Sequence, residues 1–264
     1  AIVINNSDWQ SSGQIIETII KEAGRKHVCP KCGKEDVPCE VTLNGVKRIV
    51  YASNCDCYEK EQKAKDEQKR KEWLQQKFKK ANIGKRYADI TLDKLEAMGT
   101  ENVAAAKKYV ENFNPESGVS IHMIGEFGNG KTSEGYAIIK ALLPKFNCVS
   151  ITWNEIVTRC YYAKAFDSSE TIDQILKWLA QFDLIMIDEF VINIKDDKEI
   201  NLATALFDNL YKDNKCFILI NNPCDIVDMK KVPRLVKLLD RVQDQAEIFT
   251  FKHESYRGLK NACI

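Results

Sequence analysis

Eight consecutive residues, Gly125-Glu126-Phe127-Gly128-Asn129-Gly130-Lys131-Thr132, fit the pattern G-x-x-x-x-G-K-[ST]. That spacing suits the gripping of phosphate. Glycines let the chain wrap so that backbone N–H groups face a β-phosphate. Lys131 then reaches the β- and γ-phosphates, and Thr132 ligates Mg²⁺ at the start of the following helix. Gly125, Gly128, Asn129, Gly130, Lys131, Thr132 and Ser133 are therefore the expected binding residues for ATP. A second apolar run, Leu184-Ile185-Met186-Ile187, ends in Asp188-Glu189. Asp188 is placed to share the Mg²⁺ sphere with Thr132, and Glu189 to orient and deprotonate the attacking water. A third run, Cys216–Ile220, leads into Asn221-Asn222-Pro223. A polar residue there can sense the γ-phosphate if its strand lies between the other two; Asn222 is the choice, although spacing alone does not separate it from Asn221. Arg234 and Arg241 lie on a helical stretch, 232–242, from which an arginine can complete a neighbouring subunit's site.

A different chemistry is written nearer the N-terminus. Five of the ten cysteines fall between Cys29 and Cys57. Cys29-Pro30-Lys31-Cys32-Gly33 reads as a tight turn with two thiolates, and Cys55-Asp56-Cys57 as the partner pair of a four-sulfur zinc site. Cys39 and His27 compete for one ligand position. Four protein ligands leave no open coordination position, so this zinc is expected to be structural. Between the pairs, Glu40–Ala52 reads as a hairpin turning at Asn44-Gly45. The remaining cysteines (Cys148, Cys160, Cys216, Cys224, Cys263) are scattered, mostly in apolar settings, and read as small buried hydrophobes.

These groups need elements to hold them. Short apolar runs at 119–124, 148–152, 184–187, 217–220 and 248–251 alternate with helical patterns at 101–113, 131–143, 153–165, 171–181, 200–212 and 231–243. The alternation predicts an α/β fold with a five-stranded parallel sheet covered by helices on both faces. Before it, Ile15, Ile16, Ile19 and Ile20 recur at helical spacing, and residues 58–80 read as one long polar helix. Between Tyr58 and Arg86 eleven Lys or Arg stand against five Asp or Glu, a run that attracts phosphate backbones or simply solvates a helix face. The expected division is 1–57 for the N-terminal helix and zinc module, 58–83 for the charged linker helix and 84–264 for the nucleotide-binding domain. No apolar run approaches the roughly 18 residues of a membrane span. No basic segment followed by an apolar stretch opens the chain, so a cytoplasmic location without membrane contact is expected.

In this order the pieces resemble the DnaC/DnaI helicase loaders and the related IstB transposition ATPases, of the AAA+ class. The likeness rests on the cysteine pairs, on Ile83-Gly84-Lys85-Arg86-Tyr87-Ala88-Asp89-Ile90-Thr91-Leu92, on Gly125–Thr132, on Asp188-Glu189, and on Leu239-Asp240-Arg241-Val242 and Glu254-Ser255-Tyr256-Arg257. The resemblance implies ATP-dependent assembly into homo-oligomers with sites completed in trans. It also implies single-stranded DNA binding, an N-terminal module that grips the hexameric replicative helicase, and no C-terminal lid domain. It points to Arg241 as the trans-acting residue, with Arg234 and Arg257 as rivals. A DNA-facing helix is expected near Arg159, Tyr161, Tyr162 and Lys164, where basic and aromatic side chains interleave. The resulting expectation is an ATPase that loads a replicative helicase onto single-stranded DNA. The alternatives are an IstB-like ATPase selecting duplex targets for a transposase, and a nucleotide-gated DNA-binding adaptor with little turnover.

Overall fold

The computed structural model describes residues 28–35, 37–43, 46–52, 55–163 and 171–253. The isoleucine-bearing N-terminal segment, His27, the Asn44-Gly45 turn, Lys164 and Arg257 lie outside them. Two compact units divide between Glu72 and Trp73, inside a helix rather than at either of its ends.

In the first unit, β1 (Val37–Leu43) and β2 (Val46–Ala52) pair antiparallel, Val37 opposite Ala52 and Leu43 opposite Val46. Helix α1 (Cys57–Lys80) follows, and its 24 residues bury no side chain. Its first four turns are almost wholly polar and have no apolar stripe to bury.

The second unit is the expected α/β layer structure. Strands β3 (Ser120–Gly125), β4 (Cys148–Thr152), β5 (Leu184–Asp188), β6 (Cys216–Asn221) and β7 (Ala246–Phe251) form one parallel sheet in the order β4-β5-β6-β3-β7. Alternate residues serve opposite faces, as the twofold period of a strand requires. Ile121, Met123, Leu184, Met186, Ile218 and Ile220 join the core beneath α2 (Leu92–Ala97), α3 (Val103–Glu111) and α4 (Lys131–Leu142). Ile185, Ile187, Phe217 and Leu219 join the other core, with α5 (Trp153–Tyr162), α6 (Ile172–Leu179), α7 (Asp197–Lys212), α8 (Pro223–Met229) and α9 (Pro233–Gln245). Both faces are therefore covered. No helix among the described residues is long and apolar enough to cross a membrane.

The chain marks its own helix starts. Thr152 with Glu155, and Thr171 with Gln174, form capping boxes at the heads of α5 and α6. Pro223 and Pro233 open α8 and α9, where a missing N–H costs nothing. After α1 the backbone covers the sheet's outer edge: Ser150 N–H donates to Ala81 O at 3.0 Å, and Asn82 Nδ2 donates to Ser150 O at 3.2 Å. Edge strand β4 is thus not left with a bare ladder.

Candidate functional site

The sheet order brings the motifs together. Strand β6 lies between β5 and β3, so the loops after all three open at one end of the sheet, on adjacent strands. The loop after β3 turns through Gly128 and Gly130, with φ of 81° and 99°, a region that L side chains rarely enter. Gly125 is needed for another reason. A Cβ there would stand 2.3 Å from Asn129 Nδ2 and 2.6 Å from Phe251 O. Asn129 is itself buried and donates to Phe251 O at 3.1 Å, so the loop is tied to β7. Gly135 on α4 admits Met186 of β5, whose sulfur would be 2.6 Å from an added Cβ. Close helix–sheet packing therefore fixes the start of α4.

Lys131 opens α4 and is 6% exposed. Its Nζ donates to Gly125 O and Glu126 O, each at 2.6 Å, and reaches Asn129 Oδ1 at 3.1 Å and Asn222 Oδ1 at 3.4 Å. Thr132 Oγ1 donates to Asp188 Oδ1 at 3.4 Å. Burial pushes the Asp188 carboxyl above the ordinary range, against hydrogen bonds from Glu189 N–H and Thr132 that favour its charge. A divalent cation at this spot would favour the ionised carboxylate further. Glu189, exposed, follows with φ of 51°, and its N–H donates to Asp188 Oδ1 at 2.8 Å. Two hydrogen-bonded pairs, Lys131 with Asn222 and Thr132 with Asp188, are thus held on adjacent residues at the head of α4, with Glu189 beside Asp188.

Asn221 and Asn222 take different places. Asn222 heads α8, where its backbone N–H and its Nδ2 each donate to Asp225 Oδ2 at 3.0 Å, and its Oδ1 faces Lys131. Asn221 is buried beneath, with His122 and Phe190 as partners. Spacing did not reveal that division.

The two arginines of α9 are engaged on α7. Arg234 donates to Asp197 at 2.5 Å and to Asn201 at 2.7 Å; one heptad on, Arg241 pairs with Asp208. Tyr211 then donates to Asp244 at 2.9 Å, completing a polar ladder along two parallel helices whose seam is Leu235, Leu238, Leu239 and Val242. Arg159 stacks over the Trp178 ring at 4.3 Å, the Tyr161 hydroxyl donates to Asp196, and Tyr162 is 72% exposed.

In the first unit the sulfurs of Cys29, Cys32, Cys55 and Cys57 all lie within 4.8 Å of one another. Tetrahedral zinc, with Zn–S near 2.3 Å, sets sulfurs about 3.8 Å apart, so the donor set fits that ion. Gly33 makes the knuckle, at φ of 70°, with its N–H on Cys29 O at 2.9 Å. Cys57 begins α1, where the positive end of the helix favours thiolate. Hydrogen bonding with the Cys32 and Cys55 sulfurs pushes the Cys57 thiol up to about 12.

No protein-family model and no curated protein matches the sequence. Solved structures do match. The DnaC helicase loader superposes with a TM-score of 0.54 and 19% identity, over 64% of this chain and 100% of that one. DnaI gives 0.50 and 15%, over 66% and 94%. Over that span the chain shares the fold of the DnaC and DnaI structures. The replication initiator DnaA, bound to AMPPCP and single-stranded DNA, gives 0.50 and 17% over 63% of this chain, which spans about half (51%) of that structure's length.

Proposed function

We propose that this AAA+ protein is a replication-initiation ATPase that delivers a hexameric replicative helicase onto single-stranded DNA. The observation that carries the reading is the convergence of Lys131, Thr132, Asp188 and Asn222, with Glu189 beside them, across three adjacent strand ends. Water attacks the γ-phosphorus, its proton passes to the Glu189 carboxylate, and ADP leaves. Lys131 holds the β- and γ-phosphates, and Asn222 stands where the γ-phosphate is sensed. Thr132 and Asp188 would hold Mg²⁺, which neutralises the charge building on the phosphate oxygens. Arg241, released from Asp208, completes a neighbour's site in an ATP-dependent oligomer. Arg159, Tyr161, Tyr162 and Lys164 serve DNA, and a zinc-bound first unit grips the helicase. The helicase and the DNA come to this chain from the likeness to the DnaC loader and to DnaA.

The test is in two arms. Glu189→Gln is expected to keep ATP binding and lose about 100-fold or more in turnover, the usual scale of general-base catalysis. Lys131→Ala is expected to abolish binding, measured by calorimetry. A Glu189→Gln protein hydrolysing at the parent rate overturns the base assignment. Native mass spectrometry with a replicative helicase and ATP then tests the partner. Assembly on duplex DNA without the helicase would favour a transposition ATPase instead.

A further inference from the structure

Glu189 holds a left-handed backbone conformation that glutamate rarely adopts, and such a conformation lasts only where its surroundings over-determine it. Its neighbours supply the restraint. Phe190 is fully buried, with its ring 5.0 Å from Trp153 and 5.2 Å from Phe207. Both of its peptide groups are tied to β6: its N–H donates to Ile220 O at 3.0 Å, and its carbonyl accepts from Asn221 Nδ2 at 2.5 Å. Val191 N–H closes the turn on Glu189 O at 2.8 Å.

Asn221 is held in turn. Because its Nδ2 faces the Phe190 carbonyl, its Oδ1 faces His122 Nε2, 3.0 Å away on neighbouring β3. Oxygen can only accept, so His122 carries its proton on Nε2 and donates. Both side chains are 1% exposed. A histidine within an apolar strand and an asparagine at the end of another therefore form one buried relay. It runs from the strand of the phosphate loop to the residue after Glu189.

We infer that Asn221, held by His122, is a positioning residue for Glu189. This rests on the ATPase reading above and adds to it a residue that touches neither phosphate nor metal ligand. Asn222 contacts Lys131 at the phosphate end of the site; Asn221 sets the acid's backbone from beneath. Without the Asn221 amide, the Phe190 carbonyl loses its clamp and Glu189 can relax toward right-handed backbone, carrying its carboxylate out of line.

Asn221→Leu keeps shape and removes the amide. Its kcat for ATP is expected to fall about ten- to hundredfold, the scale typical of residues that orient catalytic groups, with the KM for ATP unchanged. His122→Gln keeps a donor toward Asn221 and is expected to retain near-parent kcat. The double variant His122→Phe with Asn221→Leu removes the stranded donor as well. It should regain part of the melting temperature lost in Asn221→Leu, yet stay slow. Amide hydrogen exchange supplies a readout free of turnover: the Phe190 and Val191 amides lose protection while β3 and β5 keep theirs. Recovery of kcat together with stability in the double variant, or unaltered exchange at Phe190 and Val191, overturns the positioning role. A parent protein without turnover, but with exchange responding as described, overturns the ATPase reading and leaves the anchoring of Glu189 standing.

Discussion

In the sheet-bearing unit, two apolar layers enclose five strands, and side chains such as Ile121, Met186, Leu219 and Leu238 are wholly buried. The cysteine-bearing unit has no counterpart among its described residues. Val28, Val37, Val46 and Tyr58 stand 44%, 45%, 55% and 54% exposed, and α1 buries nothing. One unit coheres by burying apolar surface; the other brings four sulfurs to one point. A segment as short as 28–57 has little room for a core and draws its stability from a cross-link or a metal. The comparison teaches that the two units should respond to different insults.

The largest expected effect follows from that contrast. Stripping the metal with a chelator, or replacing Cys29 and Cys32 by serine, removes on the order of 10 kcal/mol from the cysteine unit. Amide exchange along the full chain should then show residues 28–57 unprotected, with β3, β5 and β6 as slow as before. Elemental analysis of protein purified without chelator should find one zinc per chain. Full protection of residues 28–57 in metal-free protein would break the comparison.

A smaller effect belongs to the sheet-bearing unit alone. Glu134, on the first turn of α4, is 1% exposed, and neither carboxylate oxygen has a hydrogen-bond partner among the described residues. Burial, reinforced by the nearby Glu101 charge, raises its carboxyl to about 8 from an ordinary 4.5. The folded state therefore holds a proton that the unfolded state has released between those values, and stability falls as pH rises through the window. His122 works oppositely: burial lowers it to about 4 from 6.5, so the unfolded state binds the extra proton and stability rises with pH there. The two slopes oppose each other up to about pH 6.5, above which that of Glu134 stands alone. Glu134→Gln should raise stability at pH 8.5 by a few kcal/mol (about 1.4 per pK unit) and make little difference near pH 4. Melting curves of both proteins at the two pH values decide it. An equal shift at both would mean that the carboxyl does not titrate in this window.

How much of this could be read from residues alone follows the same division of forces. The five strands were legible because fully buried parallel strands are continuous apolar runs, and the phosphate loop because its glycines are dictated by backbone geometry. The Cys29, Cys32, Cys55 and Cys57 set was legible from spacing. Helix α8 was not: its seven residues show no helical pattern, although Pro223 begins it and Asn222 with Asp225 stands at its head. Helix α2 was missed because six residues carry too little periodicity, although Thr91 caps it. His122, Glu134 and the inner role of Asn221 were invisible for a deeper reason. A polar residue in an apolar segment does not announce its partner, and these partners come from other strands or, for Glu134, are lacking among the described residues. Likewise Arg234 and Arg241 were offered to a neighbouring subunit, while the heptad match to Asp197, Asn201 and Asp208 on α7 emerged only with parallel helix packing.

The boundary between the two units gives the smallest and sharpest prediction. It cuts α1 after Glu72, and the last two turns of that helix belong to the sheet-bearing unit. Lys77 explains how. Its Nζ donates to Leu143 O at 3.0 Å and Phe146 O at 3.2 Å, carbonyls at and just beyond the end of α4, while its ammonium lies 4.5 Å above the Trp73 ring. A cation at a helix C-terminus satisfies orphan carbonyls and meets the negative end of the dipole. Two turns earlier, Lys69 is simply exposed. Lys77→Met keeps the aliphatic stem and removes the donors, and should cost the sheet-bearing unit about 1 kcal/mol, a fall of a few degrees in melting temperature. Lys69→Met should melt with the parent. If the two substitutions are indistinguishable, the last turns of α1 are as loosely held as the first, and the boundary belongs at the end of the helix near Lys80 instead.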